Sequence, residues 1–367
     1  MPADARPGAL PDVLPGVRKI AVLRANALGD FVFALPALAA LRAAYPHAEM
    51  VLLGRAWHAA FLAGRPSPVD RVVPVPPAAF DDDPSRVEPR EREALLARLR
   101  AEHFDLAIQM HGGGRNSNPF VLEVGAHTTA GTATADAAPL DRAVPYVYYQ
   151  SEYARWLEVV ALVGAAPVDL APRLPVTDAD LAEVERIVPE RGPLAVLHPG
   201  ATDPRRRWPA ESFASVGRAL VERGVCVVIT GTPPESAITR RVAAGIGGRG
   251  GSDEVIDVTG RLSLGGLAGL LARASVVVSN DTGPLHLAAA VGAPAVGIYW
   301  IGNLVNGGEL TRAGRRVAIS WRTACPTCGT DNTRERCAHD DSFVADVPVE
   351  DVLRDAIELL TGNPDRG

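Results

Sequence analysis

Short apolar runs recur along this chain, each followed by a polar turn and then by a stretch with apolar residues at helical spacing. In the first half, Lys19–Arg24, Glu49–Leu53, Arg71–Val75 and Phe104–Gln109 read as strands. Strands without polar alternation are buried on both faces, which points to parallel sheets. Phe31–Tyr45 and Glu91–Arg100 have helical patterns, and Ser151–Val163 closes this half as a helix. Pro36 should kink or restart the first helix, because proline removes a backbone donor and crowds the preceding turn. A second series follows, with strands Leu194–His198, Val225–Thr230, Glu254–Val258, Ala274–Ser279 and Ala295–Tyr299. Its helices cover Glu211–Arg223, a stretch from about Glu235, and Leu264–Ala272. Repeated βαβ units imply parallel sheets with right-handed crossovers.

At 367 residues the chain is too long for one ordinary core. The pattern divides it into a loose N-terminal tail (1–17), a Rossmann-like domain (18–165), a linker (166–192), a second Rossmann-like domain (193–345) and a last helix within 346–367. Pro167, Pro172 and Pro175 mark the linker, and Asp81–Asp83 reads as a solvated loop. The expected class is α/β, with two Rossmann-like domains facing a central cleft.

Composition narrows the function by exclusion. Net charge is −6 and no basic block is long enough to track a nucleic-acid backbone, so nucleic acid is not an expected partner. No run approaches the length of a transmembrane helix, and the first 17 residues lack the apolar segment of a secretory signal. Four cysteines in a chain this long do not make a disulfide framework, which suits a reducing cytosol. The expected location is cytoplasmic, with room for peripheral contact at the inner face of a membrane.

Ser279-Asn280-Asp281-Thr282-Gly283-Pro284-Leu285-His286 is the densest polar cluster after an apolar strand. Proline suits the first turn of a helix, and the amides of a helix start favour an anion such as phosphate. Simple capping by Asp281 or Thr282 is the plainer alternative. Arg24-Ala-Asn-Ala-Leu-Gly29-Asp30 also follows a strand. There Gly29 permits close approach of a ligand, while Asp30 suits either a cap or a proton acceptor. This run lacks G-x-G-x-x-G, which argues against a dinucleotide fingerprint at this strand end.

After His198-Pro-Gly, the run Arg205-Arg206-Arg207-Trp208-Pro209 suits a diphosphate, since guanidinium matches phosphate oxygens in pairs. Glu235 opens a helix and fits a ribose contact. His111-Gly-Gly-Gly-Arg115 follows a first-half strand and fits an acceptor-side loop, or an unliganded glycine turn. Cys325, Cys328, Cys337 and His339 have the spacing of a small structural zinc site. Unliganded thiols are the competing reading. Cys226 lies within an apolar strand and reads as core.

Together, Leu28-Gly-Asp30 with Pro36-Ala-Leu38, His198-Pro-Gly200 with Arg207-Trp-Pro209, Gly231 through Glu235, and Asn280 through His286 resemble the ADP-heptose lipopolysaccharide heptosyltransferase family, glycosyltransferase family 9. The resemblance runs from about Lys19 to the end. It implies a GT-B fold and an inverting transfer from a nucleotide-diphosphate sugar, ADP-heptose-like, to a hydroxyl of a glycan or glycolipid. No metal or other cofactor is required by that chemistry. Asp30 would match the base. His198, Arg206, Glu235, Asp281, Thr282, Gly283 and His286 would fall on the donor side, with Gly29, His111 and Arg115 on the acceptor side. The family often carries lysine where this chain has Arg206. In GT-B folds the last helix often crosses back to the first domain. A sugar-nucleotide-binding protein without catalysis, or a GT-B-type sugar-nucleotide epimerase, are the alternatives.

Overall fold

The computed structural model describes residues 10–76, 79–80, 88–190, 192–247, 254–311 and 313–362. The Asp81–Asp83 loop and most of the N-terminal tail lie outside these residues. The chain forms two compact units, Met1–Pro172 and Arg173–Gly367.

The first unit contains β1 (Lys19–Leu23), α1 (Leu28–Ala44), β2 (Glu49–Gly54), α2 (Ala56–Leu62), β3 (Arg71–Pro74), α3 (Pro89–Arg100), β4 (Leu106–Gln109), α4 (Ser117–Glu123), β5 (Thr128–Ala133), β6 (Arg142–Pro145) and α5 (Glu152–Ala161). Its parallel sheet has the order β3-β2-β1-β4-β5-β6, with Val22 opposite Leu52 on one side and Ile108 on the other. The chain therefore runs outward from β1 to β3, returns to β4 beside β1, and runs out again. Loops leaving β1 and β4 diverge at their carboxyl ends, the place where open α/β sheets bind ligands.

Helix α1 continues through Pro36, so the helix does not restart there. Its buried face packs on α5, with Phe33 edge-on to Tyr153 at 5.0 Å and the Tyr45 hydroxyl donating to the Val163 carbonyl at 2.6 Å. This burial outweighs the bond that proline removes. Residues at the end of the expected loose tail are tied down as well, because the Leu14 N–H donates to Tyr45 Oη at 3.2 Å. Gly164, at φ +82°, admits the backbone of Asp12 and Val13 where a Cβ would collide.

The second unit contains α6 (Asp178–Glu185), β7 (Leu194–His198), α7 (Ala210–Val221), β8 (Cys226–Ile229), α8 (Ser236–Ile246), β9 (Val255–Asp257), α9 (Leu264–Arg273), β10 (Val276–Asn280), α10 (Gly283–Ala290), β11 (Ala295–Trp300), α11 (Ile301–Gly307), β12 (Arg315–Ser320) and α12 (Val349–Leu360). The order β12-β11-β10-β7-β8-β9 repeats the same plan, with β7 and β10 at the switch and Ser279 opposite His198. Part of the expected linker is the capped helix α6, whose Asp180 backbone meets Gly269 of α9. The last helix packs on α7, β10, β11 and β12 of its own unit. Val352 and Ala356 bury into that unit's core.

Candidate active site

The turn after β10 is held to the loop that leaves β7 and to helices α10 and α11. Asn280 is fully buried; its amide donates to the carbonyls of Pro199 (2.8 Å) and Gly200 (3.3 Å) and its oxygen accepts from the Trp208 N–H (2.9 Å). One side chain thereby fastens the β10 turn to the loop that leaves β7. Asp281 does not cap α10. Its carboxylate meets His286 Nε2 at 3.1 Å, accepts from Asn303 Nδ2 at 2.7 Å and lies 3.4 Å from Arg206 Nη1. Burial would raise the Asp281 pKa, but the hydrogen bond and charge of His286, the charge of Arg206 and the Asn303 amide together hold it below the usual carboxylate range. Thr282 stands at the N-cap without a side-chain capping bond, and Gly283 and Pro284 form the first turn of α10. The helix start is thus left to its backbone amides, with small residues giving close access.

The three arginines separate into distinct roles. Arg205 is spent on Asp203, with Nη2–Oδ2 at 2.6 Å, and stacks over Phe343 at 4.9 Å. Arg207 donates through Nε to the Ala201 carbonyl at 2.9 Å. Arg206, a third exposed, extends toward the β10 turn and donates to the Asp281 carbonyl at 3.3 Å. His198 is buried with Nδ1 3.1 Å from Thr230 Oγ1; burial pushes its pKa down against the opposing influence of Glu235 and Thr230. Glu235 accepts from the Thr232 N–H (2.7 Å) and hydroxyl (2.8 Å), which makes it a capping residue of its turn. It also packs against Gly200, where any Cβ would overlap its carboxylate. A cavity of about 530 Å³ is lined by Glu235, Arg207, Trp208, Ile238 and Arg241.

In the first unit, Asp30 sits in the first turn of α1 and accepts from the Ala27 N–H at 3.2 Å, while its side chain remains a third exposed. Arg24, almost fully buried at the end of β1, holds this turn. Its Nε donates to the Asp30 carbonyl at 2.7 Å and its Nη1 to the Met110 carbonyl at 2.6 Å. Its Nη2 lies 3.4 Å from Asp30 Oδ1 and 3.5 Å from Glu152 Oε2, and the guanidinium covers Trp156 at 4.6 Å. Gly29 is buried within the same turn. A separate cavity of about 440 Å³ gathers His111, Arg115, Phe80, Thr134, Asp136 and Tyr146 at the carboxyl ends of β4 and β5. His111 and Arg115 therefore share a cavity whose lining does not include Asp30.

Sequence reading missed Arg24, Glu152 and Asn303. A charged residue ending an apolar strand was the available signal for Arg24; nothing local marks Asn303. The cysteine motif does assemble: one donor atom from each of Cys325, Cys328, Cys337 and His339 falls within 4.8 Å of the others. Cys226 is buried in the core, as its strand position implied. Among the described residues no helix is long and apolar enough to cross a membrane.

The chain is 27% identical over 303 residues to lipopolysaccharide heptosyltransferase 1 of Escherichia coli strain K12, covering 77% of this chain and 87% of that one. The structure of E. coli ADP-heptose LPS heptosyltransferase II superposes with a TM-score of 0.72 at 21% identity, covering 94% of this chain and 98% of that one. An E. coli heptosyltransferase with ADP-2-deoxy-2-fluoro heptose gives a TM-score of 0.62 at 23% identity, covering 82% and 92%. The two switch-point sheets are those of a GT-B α/β glycosyltransferase. The family model for glycosyltransferase family 9 (heptosyltransferase) matches residues 92–325, well over half the chain, and the protein belongs to that family.

Proposed function

We propose that this enzyme transfers a heptose-like sugar from an ADP-linked donor to a hydroxyl of a glycan or glycolipid, with inversion and without a metal ion in the reaction. The observation that carries the reading is the Arg206–Asp281–His286 cluster beside the start of α10 at the switch point of the second sheet. A guanidinium and helix-start amides there suit a departing diphosphate, whose charge grows as the glycosidic bond breaks. The ADP-linked ligand of the E. coli heptosyltransferase supports the choice of nucleotide.

In this reading Arg206, Thr282 and Gly283 hold the diphosphate, and Asp281 and His286 keep Arg206 in place. His198 shapes the pocket floor, and Glu235 reaches the ribose. Asp30 accepts the acceptor hydroxyl proton as the new bond forms at the anomeric carbon and the bond to phosphate breaks. A single displacement inverts the anomeric centre. Gly29 gives the acceptor close approach to the α1 turn, while the cavity with His111 and Arg115 holds more of the acceptor glycan. The reaction is placed on the cytoplasmic side of a membrane that carries the acceptor.

The test uses the full chain with ADP-, GDP-, UDP- and dTDP-sugars and a saccharide acceptor. ADP release and the anomeric configuration of the product are followed by NMR. ADP-heptose is expected to be used, with inverted product and no dependence on added magnesium or manganese. A retained configuration would overturn the role of Asp30, and turnover confined to another nucleotide would overturn the donor assignment.

A further inference from the structure

Residues 321–348, between β12 and α12, contain no helix or strand beyond one antiparallel bridge between Ala324 and Asp331. A connection of this length without regular structure needs something to hold it. Its first part folds into a tight knuckle. The Gly329 N–H donates to the Cys325 carbonyl and the Cys325 N–H to the Thr330 carbonyl, both at 2.9 Å, and Gly329 turns the chain at φ +74°. Three thiols and one imidazole converge there within 4.8 Å. Tetrahedral zinc with bonds of about 2.3 Å to sulfur would set donors about 3.8 Å apart, so a contraction of about 1 Å closes the site. His339 Nδ1 is buried with no hydrogen-bond partner. A buried ring nitrogen beside three thiols is where a metal ion would supply the missing interaction.

The residues just after His339 reach the donor loop. The Phe343 N–H donates to the Arg205 carbonyl at 2.7 Å, and Ser342 Oγ donates to the Arg207 carbonyl at 2.6 Å. The carbonyls on both sides of Arg206 are thus held by one strap. Thr327, inside the knuckle, donates to Asp341 at 2.7 Å and joins knuckle to strap. The Phe343 ring lies 4.9 Å from Trp300 in the core, which fixes the far end.

We propose that Cys325, Cys328, Cys337 and His339 bind one zinc ion in a closed structural site, and that this site braces the loop carrying Arg206. The zinc takes no part in group transfer. Its first claim is independent of the transferase reading, and its second rests on it.

Full-length protein purified without a metal-affinity column is expected to hold one zinc per chain by elemental analysis. Cys328→Ser and Cys337→Ser should abolish that content, while Cys226→Ser, in the core, should retain it. A wild-type chain without zinc, both as purified and after incubation with zinc under reducing conditions, overturns the site, as does stoichiometric binding of another metal only. Should the serine variants fail to fold, growth with cobalt gives a second readout: a tetrahedral thiolate spectrum in the wild type supports the site, and an octahedral one overturns it. For the brace, ADP affinity measured by calorimetry should fall roughly tenfold when zinc is removed from the wild type, the scale of one lost positioning interaction. Unchanged ADP affinity after zinc loss overturns the brace. Failure of the zinc-loaded wild type to bind ADP would instead count against the donor assignment, with the zinc content still standing.

Discussion

Arg206 Nη1 lies 3.3 Å from the Asp281 carbonyl oxygen and 3.4 Å from its carboxylate, so the loop leaving β7 and the turn leaving β10 meet through one guanidinium. This contact selects Arg206 from three consecutive arginines. Its neighbours are occupied by Asp203 and the Ala201 carbonyl.

Replacing Arg206 with Ala should weaken ADP binding by about 10- to 100-fold, the range for losing a charge-assisted hydrogen bond of about 1.5–3 kcal/mol. Arg205→Ala should instead act through loop stability. Calorimetric titration of ADP into both variants checks the distinction. Equal losses of affinity, with both variants folded, would remove the special role of Arg206.

Asp30 caps α1 and is also the proposed base, so the informative change keeps the cap. An amide oxygen can still accept from the Ala27 N–H, and Asp30→Asn should leave the thermal midpoint close to wild type. Turnover should fall by about 10²–10⁴-fold, the usual contribution of general base catalysis, with ADP affinity kept. Undiminished turnover contradicts the assignment.

The lowered pKa of Asp281 makes part of the second unit's stability pH-dependent. In the unfolded chain this carboxyl binds a proton near the ordinary value of about 4. Its stabilising contribution is therefore complete above that pH and is lost as pH falls through the lower folded value. Urea unfolding of the wild type and Asp281→Asn, followed by tryptophan fluorescence, should show a stability difference that is constant near neutrality and shrinks below about pH 4. A difference that does not change in acid refutes this.

Gly200→Ala places a methyl group against the Glu235 carboxylate. The expected outcome is displacement of Glu235 from its Thr232 cap with little change in thermal stability, because the atoms met are the end of a flexible side chain. ADP affinity should fall while affinity for inorganic diphosphate stays near wild type, because only the proposed ribose contact of Glu235 is moved. Parallel binding titrations of the two ligands decide it.

Much of the plan is written locally. Apolar runs such as Leu194–His198 and Val276–Asn280 mark buried strands without help from the rest of the chain, because a strand covered on both faces has no polar side to show. Gly283-Pro284 likewise marks a helix start by backbone chemistry alone. Short edge strands were not legible: β6, Arg-Ala-Val-Pro, is too brief and mixed to carry a period. That α1 continues past Pro36 without restarting was not legible, because the local cost of proline is visible in sequence while the burial that offsets it comes from α5.

The sequence by itself therefore determined the two βαβ series, the motif positions at strand ends and the identity of the family. Only the tertiary structure decided which arginine serves the β10 turn, that Asn303 helps hold Asp281, that Arg24 clamps the Asp30 turn to Met110, and that the cysteine knuckle leads into the strap beside Arg206. The physical reason is one of range. Periodicity and turn chemistry act over a few residues, whereas the partners that occupy or release a polar group lie tens to more than a hundred residues away and become neighbours only when the sheets form.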